Sequence, residues 1–309
     1  MRFVLTRIAS VALVLWGVTT LVFFLIHWLP GDPVDVMLGD YAQAADREEL
    51  RKKLGLDQSL LVQYWVYLKG VVTLNWGTSF YDENKTVFSL IRETWPASLE
   101  LALSSLLVAV LIAFPLGILA AVRKNTPWDQ GAMAFSLLGV SVPNILLGPV
   151  LILVFSLWLG WFPVSGREAS GSLVLPSITL GTAMAAILSR MMRSSLLEVL
   201  NEDYIRTARA KGLSERAVIL KHALRNALLP VVTLLGLQLG GLLAGAVITE
   251  TIFAWPGIGK LTVDAILSRN YPVVQACVLV VSVFYVLINI LTDLLYAWID
   301  PRIRQGGLR

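Results

Sequence analysis

Charge is scarce in this chain: Asp, Glu, Lys and Arg make up 15% of its 309 residues, against about 25% in an average soluble domain. Hydrophobic residues make up 56%, and the mean hydropathy is +0.72. Such an apolar excess has to face lipid or a very large core. The formal net charge of +4 is too small and too scattered for nucleic acid to be a partner. Cys277 is the sole cysteine, which excludes an intramolecular disulfide and a cysteine-based zinc site. In its apolar run it reads as a small buried hydrophobe. No Ser/Gly linker or low-complexity tract appears, so nothing marks a second independent domain. Catalytic signatures are lacking as well. There is no His-Glu-x-x-His, no Gly-x-Ser-x-Gly, and no facing pair of aspartates at membrane depth. The nearest approach to a phosphate-binding loop is Gly257-Ile258-Gly259-Lys260. That loop needs Gly five positions before Gly259 and Ser or Thr after Lys260, where Ala254 and Leu261 stand. The chain is therefore expected to bind no cofactor and to catalyse no reaction itself.

What is abundant is the long apolar run. Six segments, residues 8–28, 98–122, 131–159, 173–192, 229–249 and 273–299, are long enough to cross a hydrocarbon core of about 30 Å at about 1.5 Å per residue. The third and sixth exceed what a span needs and are expected to tilt or to extend beyond the lipid. Ser177, Thr179, Thr182 and Ser189 dilute the fourth; hydroxyls of this kind face other helices rather than lipid. The first run follows Arg2 and Arg7, but Leu29-Pro30-Gly31-Asp32-Pro33 stands where a small-residue cleavage site would be, so it reads as a retained helix.

Cations cluster at alternate ends of these segments. With the N-terminus in the cytoplasm, the inner ends hold Arg2, Arg7, Arg123, Lys124, a basic series from Arg190 to Arg225, and Arg302, Arg304 and Arg309. The short outer loops hold Arg167, Lys260 and Arg269. This asymmetry fits the positive-inside rule and puts both termini in the cytoplasm. The expected fold is all-α: a polytopic membrane protein with six transmembrane helices. Its parts are the N-terminus and first helix (1–30), a folded external segment (31–96), a five-helix core (97–299) containing a cytoplasmic loop (198–228), and a cytoplasmic tail (300–309). The external segment carries an amphipathic stretch at residues 47–54 and an aromatic-rich one at 60–72 with Tyr64, Trp65 and Tyr67, side chains that favour the membrane–water boundary. His27 and His222 then lie on opposite sides and cannot share a metal, so no metal site is expected on this chain.

Residues 201–230 form a cytoplasmic loop of about 30 residues, longer than the 2–8 that usually join bundle helices. Acids come early (Glu202, Asp203) and cations later, the polarity a helix dipole favours. Ala208 and Gly212 are spaced to share one helical face, flanked by Arg206 and Arg209. Gly212 then makes a turn, and Ser214 caps a second helix through Val218 and Leu220. A short surface helix with a small-residue face suits close docking of another protein. A solvated basic loop is the alternative, because charge alone would follow from the positive-inside rule.

This loop resembles the EAA loop of binding-protein-dependent ABC importer permeases, in the form found in the dipeptide, oligopeptide and nickel group. The likeness lies in Asp203-Tyr204-Ile205-Arg206-Thr207-Ala208-Arg209-Ala210-Lys211-Gly212 and His222-Ala223-Leu224-Arg225-Asn226-Ala227 before Pro230. Thr207-Ala208-Arg209 stands where the general pattern has Glu-Ala-Ala. Leu54-Gly55-Leu56-Asp57-Gln58, Gly139-Val140-Ser141-Val142-Pro143, Phe253-Ala254-Trp255-Pro256-Gly257-Ile258-Gly259 and Asp300-Pro301-Arg302 agree with the same group, in order along the chain. The resemblance implies a type I importer permease of the inner membrane, a non-catalytic subunit. It implies a second homologous permease, two cytoplasmic ATPase subunits that bind the ATP and Mg, and an external binding protein. It implies peptide cargo, with glutathione, nickel or metal chelates as the alternative. Asp203, Tyr204, Arg206, Thr207, Ala208, Arg209, Ala210, Lys211 and Gly212 would touch the ATPase. An autonomous secondary transporter is a weaker rival, since it needs mid-membrane coupling carboxylates and often inverted halves.

Three further features have both a pathway reading and a plainer one. Gly236/Gly240 and Gly241/Gly245 are GxxxG pairs, which let helices approach closely. Glu250 reads as part of an external gate or as a solvated boundary carboxylate, the latter preferred. Asn289 and Asp293 lie one turn apart in the last segment, and an Asp in lipid needs a partner or water. Glu100 is expected at the boundary.

Overall fold

The structure is a computed structural model that describes residues 2–28, 30–39, 43–82 and 84–299. Among the described residues it is helical throughout, with a single β-bridge between Thr78 and Thr86. Five helices are long and apolar enough to cross a membrane, and a bent pair taken as one span makes a sixth. The chain divides into two compact units, Met1–Ser98 with Pro256–Val286, and Leu99–Trp255 with Leu287–Arg309.

The first unit contains α1 (Arg2–Trp28), α2 (Pro33–Leu38), α3 (Ala44–Lys53) and α4 (Leu60–Thr73), the start of α5 (Val87–Val122), and, from later in the chain, α12 (Ile258–Leu267) and the start of α13 (Tyr271–Ile299). The segment after α1 is folded. Asp32 caps α2, accepting from the Val34 N–H at 2.9 Å, with Pro33 at the first helical position where its missing N–H costs nothing. Asp35 and Arg47 pair at 2.8 Å, and Asp32 pairs with Arg51, tying α2 to α3. The returning loop is pinned to α12 and α13: Asn270 Nδ2 donates to Ser79 Oγ at 2.8 Å, and Tyr81 Oη donates to the Ser268 carbonyl at 2.5 Å. Cys277 is fully buried in this unit's core beside Val273 and Val274, as its apolar setting predicts. Helix α5 begins at Val87, ten residues before the boundary expected at 97.

The second unit is built around α8 (Val174–Leu200), which packs against α6 (Pro127–Ser141), α7 (Asn144–Leu151) and α11 (Leu224–Ile252). Small residues set these approaches. A Cβ on Gly117 of α5 would stand 2.7 Å from the Ser189 carbonyl, one on Gly139 of α6 2.6 Å from Ala186 Cβ, and one on Gly181 of α8 2.6 Å from the Ser105 carbonyl. Ser104–Ser177 (2.7 Å) and Ser136–Ser189 (2.8 Å) hydrogen bonds cross the same seams. The hydroxyls that dilute the fourth apolar segment thus face neighbouring helices: Thr179 and Ser189 are fully buried.

The third segment departs from a single long helix. It breaks between α6 and α7, and the halves Pro127–Ser141 and Asn144–Trp158 meet at 105°. The cause is Pro143. A residue before proline is pushed out of the helical region, and Val142 is extended at φ −91° and ψ 111°. The second half ends as a π-helical stretch, Ile152–Trp158. The fifth span also differs. Helix resumes at α10 (Glu215–Ala217), continues through a π-helical stretch Val218–Ala223, and runs on into α11 with Pro230 inside it. The connection between the long helices is correspondingly shorter than residues 201–230.

Candidate functional site

The loop between α8 and α10 is a defined surface element. Helix α9 (Asp203–Ala210) has Asp203 in its first turn and Arg209 in its last, opposite to the dipole charge at each end. Ile205 and Ala208, one turn apart, both point inward. They are 0% and 7% exposed and pack with Leu196, Val218, Ala223, Ala227 and Ala121. Tyr204 Oη accepts from Asn226 Nδ2 of α11 at 2.7 Å. Arg209 Nε donates to Glu215 Oε1 of α10 at 2.7 Å. The helix is thus bolted to the body by an apolar face and two polar ties. Its other side, with Asp203, Tyr204, Arg206, Thr207, Arg209, Ala210 and Lys211, is exposed.

Two details correct the expected small-residue face. Ala208 belongs to the inward face, so it supports the helix from beneath. Gly212 lies beyond the last turn, at φ +79°, a left-handed conformation that glycine adopts without steric cost. Its N–H donates to the Arg209 carbonyl at 2.9 Å, and a Cβ there would meet nothing within 4 Å. Gly212 therefore closes the helix in open space. Ser214 does cap the next helix, its Oγ accepting from the Ala217 N–H at 3.4 Å.

A feature missed in the sequence stands at the base of this element. Asp129, in the first turn of α6, is 4% exposed. Arg193, near the end of α8, grips it with two bonds, Nε–Oδ1 at 2.5 Å and Nη2–Oδ2 at 2.7 Å. The Asn125 N–H adds a third bond at 2.9 Å. In the sequence each reads as an ordinary helix-end charge, near Arg123 and Lys124 in one case and Arg190 in the other. Arg193 lies ten residues before α9, so the pair fixes the helix from which the surface element hangs. Ser195 Oγ, donating to the Ala227 carbonyl at 2.9 Å, ties α8 to α11 close by.

The suggested gate and pathway residues differ in their surroundings. Glu250 is 1% exposed near the end of α11, which overturns the solvated-boundary reading. The Trp255 N–H donates to its backbone carbonyl at 2.8 Å, and Trp255 itself is buried. Gly240 is buried, whereas Gly241 is exposed with open space at its Cβ. Gly236 is the glycine in tight contact: its Cβ would fall 2.1 Å from Thr292 Cγ2 of α13. Asn289 is half-buried on α13, and the Asp293 side chain lies outside the described residues. Glu100 pairs with Arg167 at 2.7 Å, each side chain 40% exposed, as expected of a boundary residue.

The arrangement, a membrane-embedded helical body presenting one bolted surface helix, matches a known family. The binding-protein-dependent transport system inner membrane component family matches residues 113–305, and the N-terminal family of the same membrane components matches residues 1–102. The chain belongs to that family. It is 43% identical over 304 residues to the glutathione transport system permease protein GsiC of Escherichia coli (strain K12), covering 98% of this chain and 99% of that one. The GsiC protein of Salmonella typhi is 44% identical over the same length. Among solved structures, the inward-facing MetNI methionine ABC transporter aligns with a TM-score of 0.59 at 20% identity, covering 68% of this chain and 96% of that one. An amino acid ABC transporter with histidines aligns at 0.55 with 13% identity, covering 68% and 94%. At these identities the two structures speak for the fold alone. The permease is thus a multi-pass inner-membrane component of a bacterial ABC importer.

Proposed function

We propose that this permease is one of two homologous pore-forming subunits, and that α9 with its closing turn is the surface through which separate ATPases drive it. The carrying observation is the way α9 is mounted: Ile205 and Ala208 bury its inner face, while Asp203, Tyr204, Arg206, Thr207, Arg209, Ala210 and Lys211 stay outside. A helix held this firmly transmits a push to α8 and α11 instead of yielding to it. ATP and Mg belong to the ATPase chains, and this chain carries no catalytic residue. The bent pair counts as one span, giving six transmembrane helices with both termini and residues 198–228 in the cytoplasm. Residues 31–96 lie outside, where a binding protein delivers cargo. Closure of the ATPases moves α9 and rocks the long helices between outward- and inward-open states. The docked surface must bias those two states differently for this to operate.

The cargo is a short peptide. Relatives at 43–44% identity carry the name of glutathione permeases, and glutathione, a γ-linked tripeptide, falls within that chemical class. The mechanism is tested by reconstituting the permease with its partner subunits and comparing Gly212→Trp with Gly212→Asn. Asparagine tolerates the left-handed backbone, so it separates strain from bulk. Gly212→Trp should abolish ATP-driven uptake with membrane insertion intact, and Gly212→Asn should retain most of it. Wild-type uptake by Gly212→Trp, or gradient-driven uptake by this chain without ATPases, would sink the proposal. Competition of labelled glutathione uptake by dipeptides and by nickel decides the cargo.

A further inference from the structure

A cavity of about 720 Å³ lies within the first unit, between the end of α1, the start of α13, α4 and the loop at residues 75–80. Its size falls within the ~300–1,000 Å³ of ordinary small-molecule sites. Phe23, Tyr67, Trp76, Phe80 and Tyr271 give it aromatic walls. Most of its polar side chains are already bonded within the protein. Gln63 Nε2 donates to the Gln58 carbonyl at 2.8 Å, and Gln63 Oε1 faces His27 Nε2 at 3.1 Å. Ser79 Oγ accepts from Asn270 Nδ2 at 2.8 Å. The Tyr67 hydroxyl and the Trp76 indole N–H are sealed, out of a ligand's reach.

Gln275, early in α13, is different. The residue is 8% exposed and lines the cavity. Its side-chain amide has no hydrogen-bond partner among the described residues, yet it is not one of the sealed groups, so it keeps surface that a ligand can reach. Buried amides ordinarily have partners, and this one offers both donors and an acceptor. Asn75, on the loop, uses its Oδ1 to accept from the Gly77 N–H at 3.4 Å and presents a second amide to the same cavity. Among the described residues on the wall, Lys53 carries the only fixed charge, and no acid stands there.

We propose that this cavity binds one short peptide with a free C-terminal carboxylate. A peptide amide both donates and accepts, which is what Gln275 requires. The aromatic walls take an apolar side chain, and Lys53 draws the carboxylate. A cation would find no acid here, and a polyphosphate would find a single lysine. An uncharged sugar would stack on the rings without using Lys53. The proposal rests on the reading of residues 31–96 as external and of the cargo as a short peptide, and it adds a receiving site on this chain itself.

The test uses the full chain, purified alone in mild detergent and titrated calorimetrically with trialanine and with its C-terminal amide. Trialanine should bind, and the amide, which lacks the carboxylate, should bind ~2–5-fold more weakly. Lys53→Gln should lower trialanine to the level of the amide and leave the amide unchanged. Gln275→Leu should weaken both by at least ~10-fold. Without peptide, Gln275→Leu should be no less stable than wild type, because the deleted amide had no protein partner. This sign separates a lost contact from a damaged fold. Wild-type affinity in Gln275→Leu would overturn the proposal, as would no binding to the wild-type chain up to ~10 mM trialanine. Uptake of the same peptide by the assembled transporter reads the cargo separately. Uptake with no binding by the wild-type chain overturns this site alone, whereas binding without uptake overturns the cargo reading and leaves the site standing.

Discussion

Replacing Arg193 by methionine keeps most of the side chain's bulk and removes the charge that holds Asp129. The carboxylate is then left in a site where its residue is 4% exposed, with the Asn125 N–H at 2.9 Å as its remaining bond. Breaking a fully buried pair in this way costs about 3–5 kcal/mol. Arg193's side chain is 23% exposed, so water reaches part of the site, and a cost of ~2–4 kcal/mol is expected. Reversible unfolding of the purified permease in mixed micelles measures it. Asp129→Leu alone strands the arginine and should cost less, because Arg193 can turn toward water. The double variant Asp129→Leu/Arg193→Met should recover much of the loss, since replacing both partners by apolar groups is often neutral. The double-mutant cycle should therefore show coupling above ~1.5 kcal/mol. If Arg193→Met falls within ~0.5 kcal/mol of wild type and the cycle shows no coupling, the pair does not clamp α6 to α8.

Four further outcomes follow from the geometry. The Glu100–Arg167 pair has both side chains 40% exposed, so Glu100→Gln should change stability by less than ~1 kcal/mol in the same assay. Gly236→Ala puts a methyl group 2.1 Å from Thr292 Cγ2 and should destabilise by ~1–3 kcal/mol, with relief when Thr292 is also made alanine. Gly241→Ala meets open space and should be neutral or favourable by up to ~1 kcal/mol. Ile205→Ala empties the fully buried anchor of α9 and should cost ~2–4 kcal/mol, seen as protease cleavage in residues 201–214 while the long helices stay protected.

Much of the fold was legible because lipid demands it. A backbone in hydrocarbon has to satisfy its own hydrogen bonds, so apolar runs of sufficient length become helices, and five of the six expected segments do so directly. The break in the third was also written in the chain, at Val142-Pro143, but a continuous apolar run of 131–159 masked it. The short helix at 203–210 was legible by its charge order, and the start of the next helix by its Ser214 cap. Its supporting pair was not, because Asp129 and Arg193 lie 64 residues apart and each alone reads as an ordinary helix-end charge.

The amino-acid sequence by itself determined that this chain lives in the membrane, that its parts are helices, and that residues 203–210 form a short polar one between two long apolar ones. Periodicity also suggested which residues share a face: Ala208 with Gly212, and Gly236 with Gly240. Only the tertiary structure decided which face turns inward, because that depends on neighbours brought from far along the chain. Ala208 faces Val218 and Ala227 and is buried; Gly212, past the final turn, is exposed. Glu250 is buried and Gly241 open for the same reason. A helix carries its pattern in its own residues, but burial belongs to whatever packs against it.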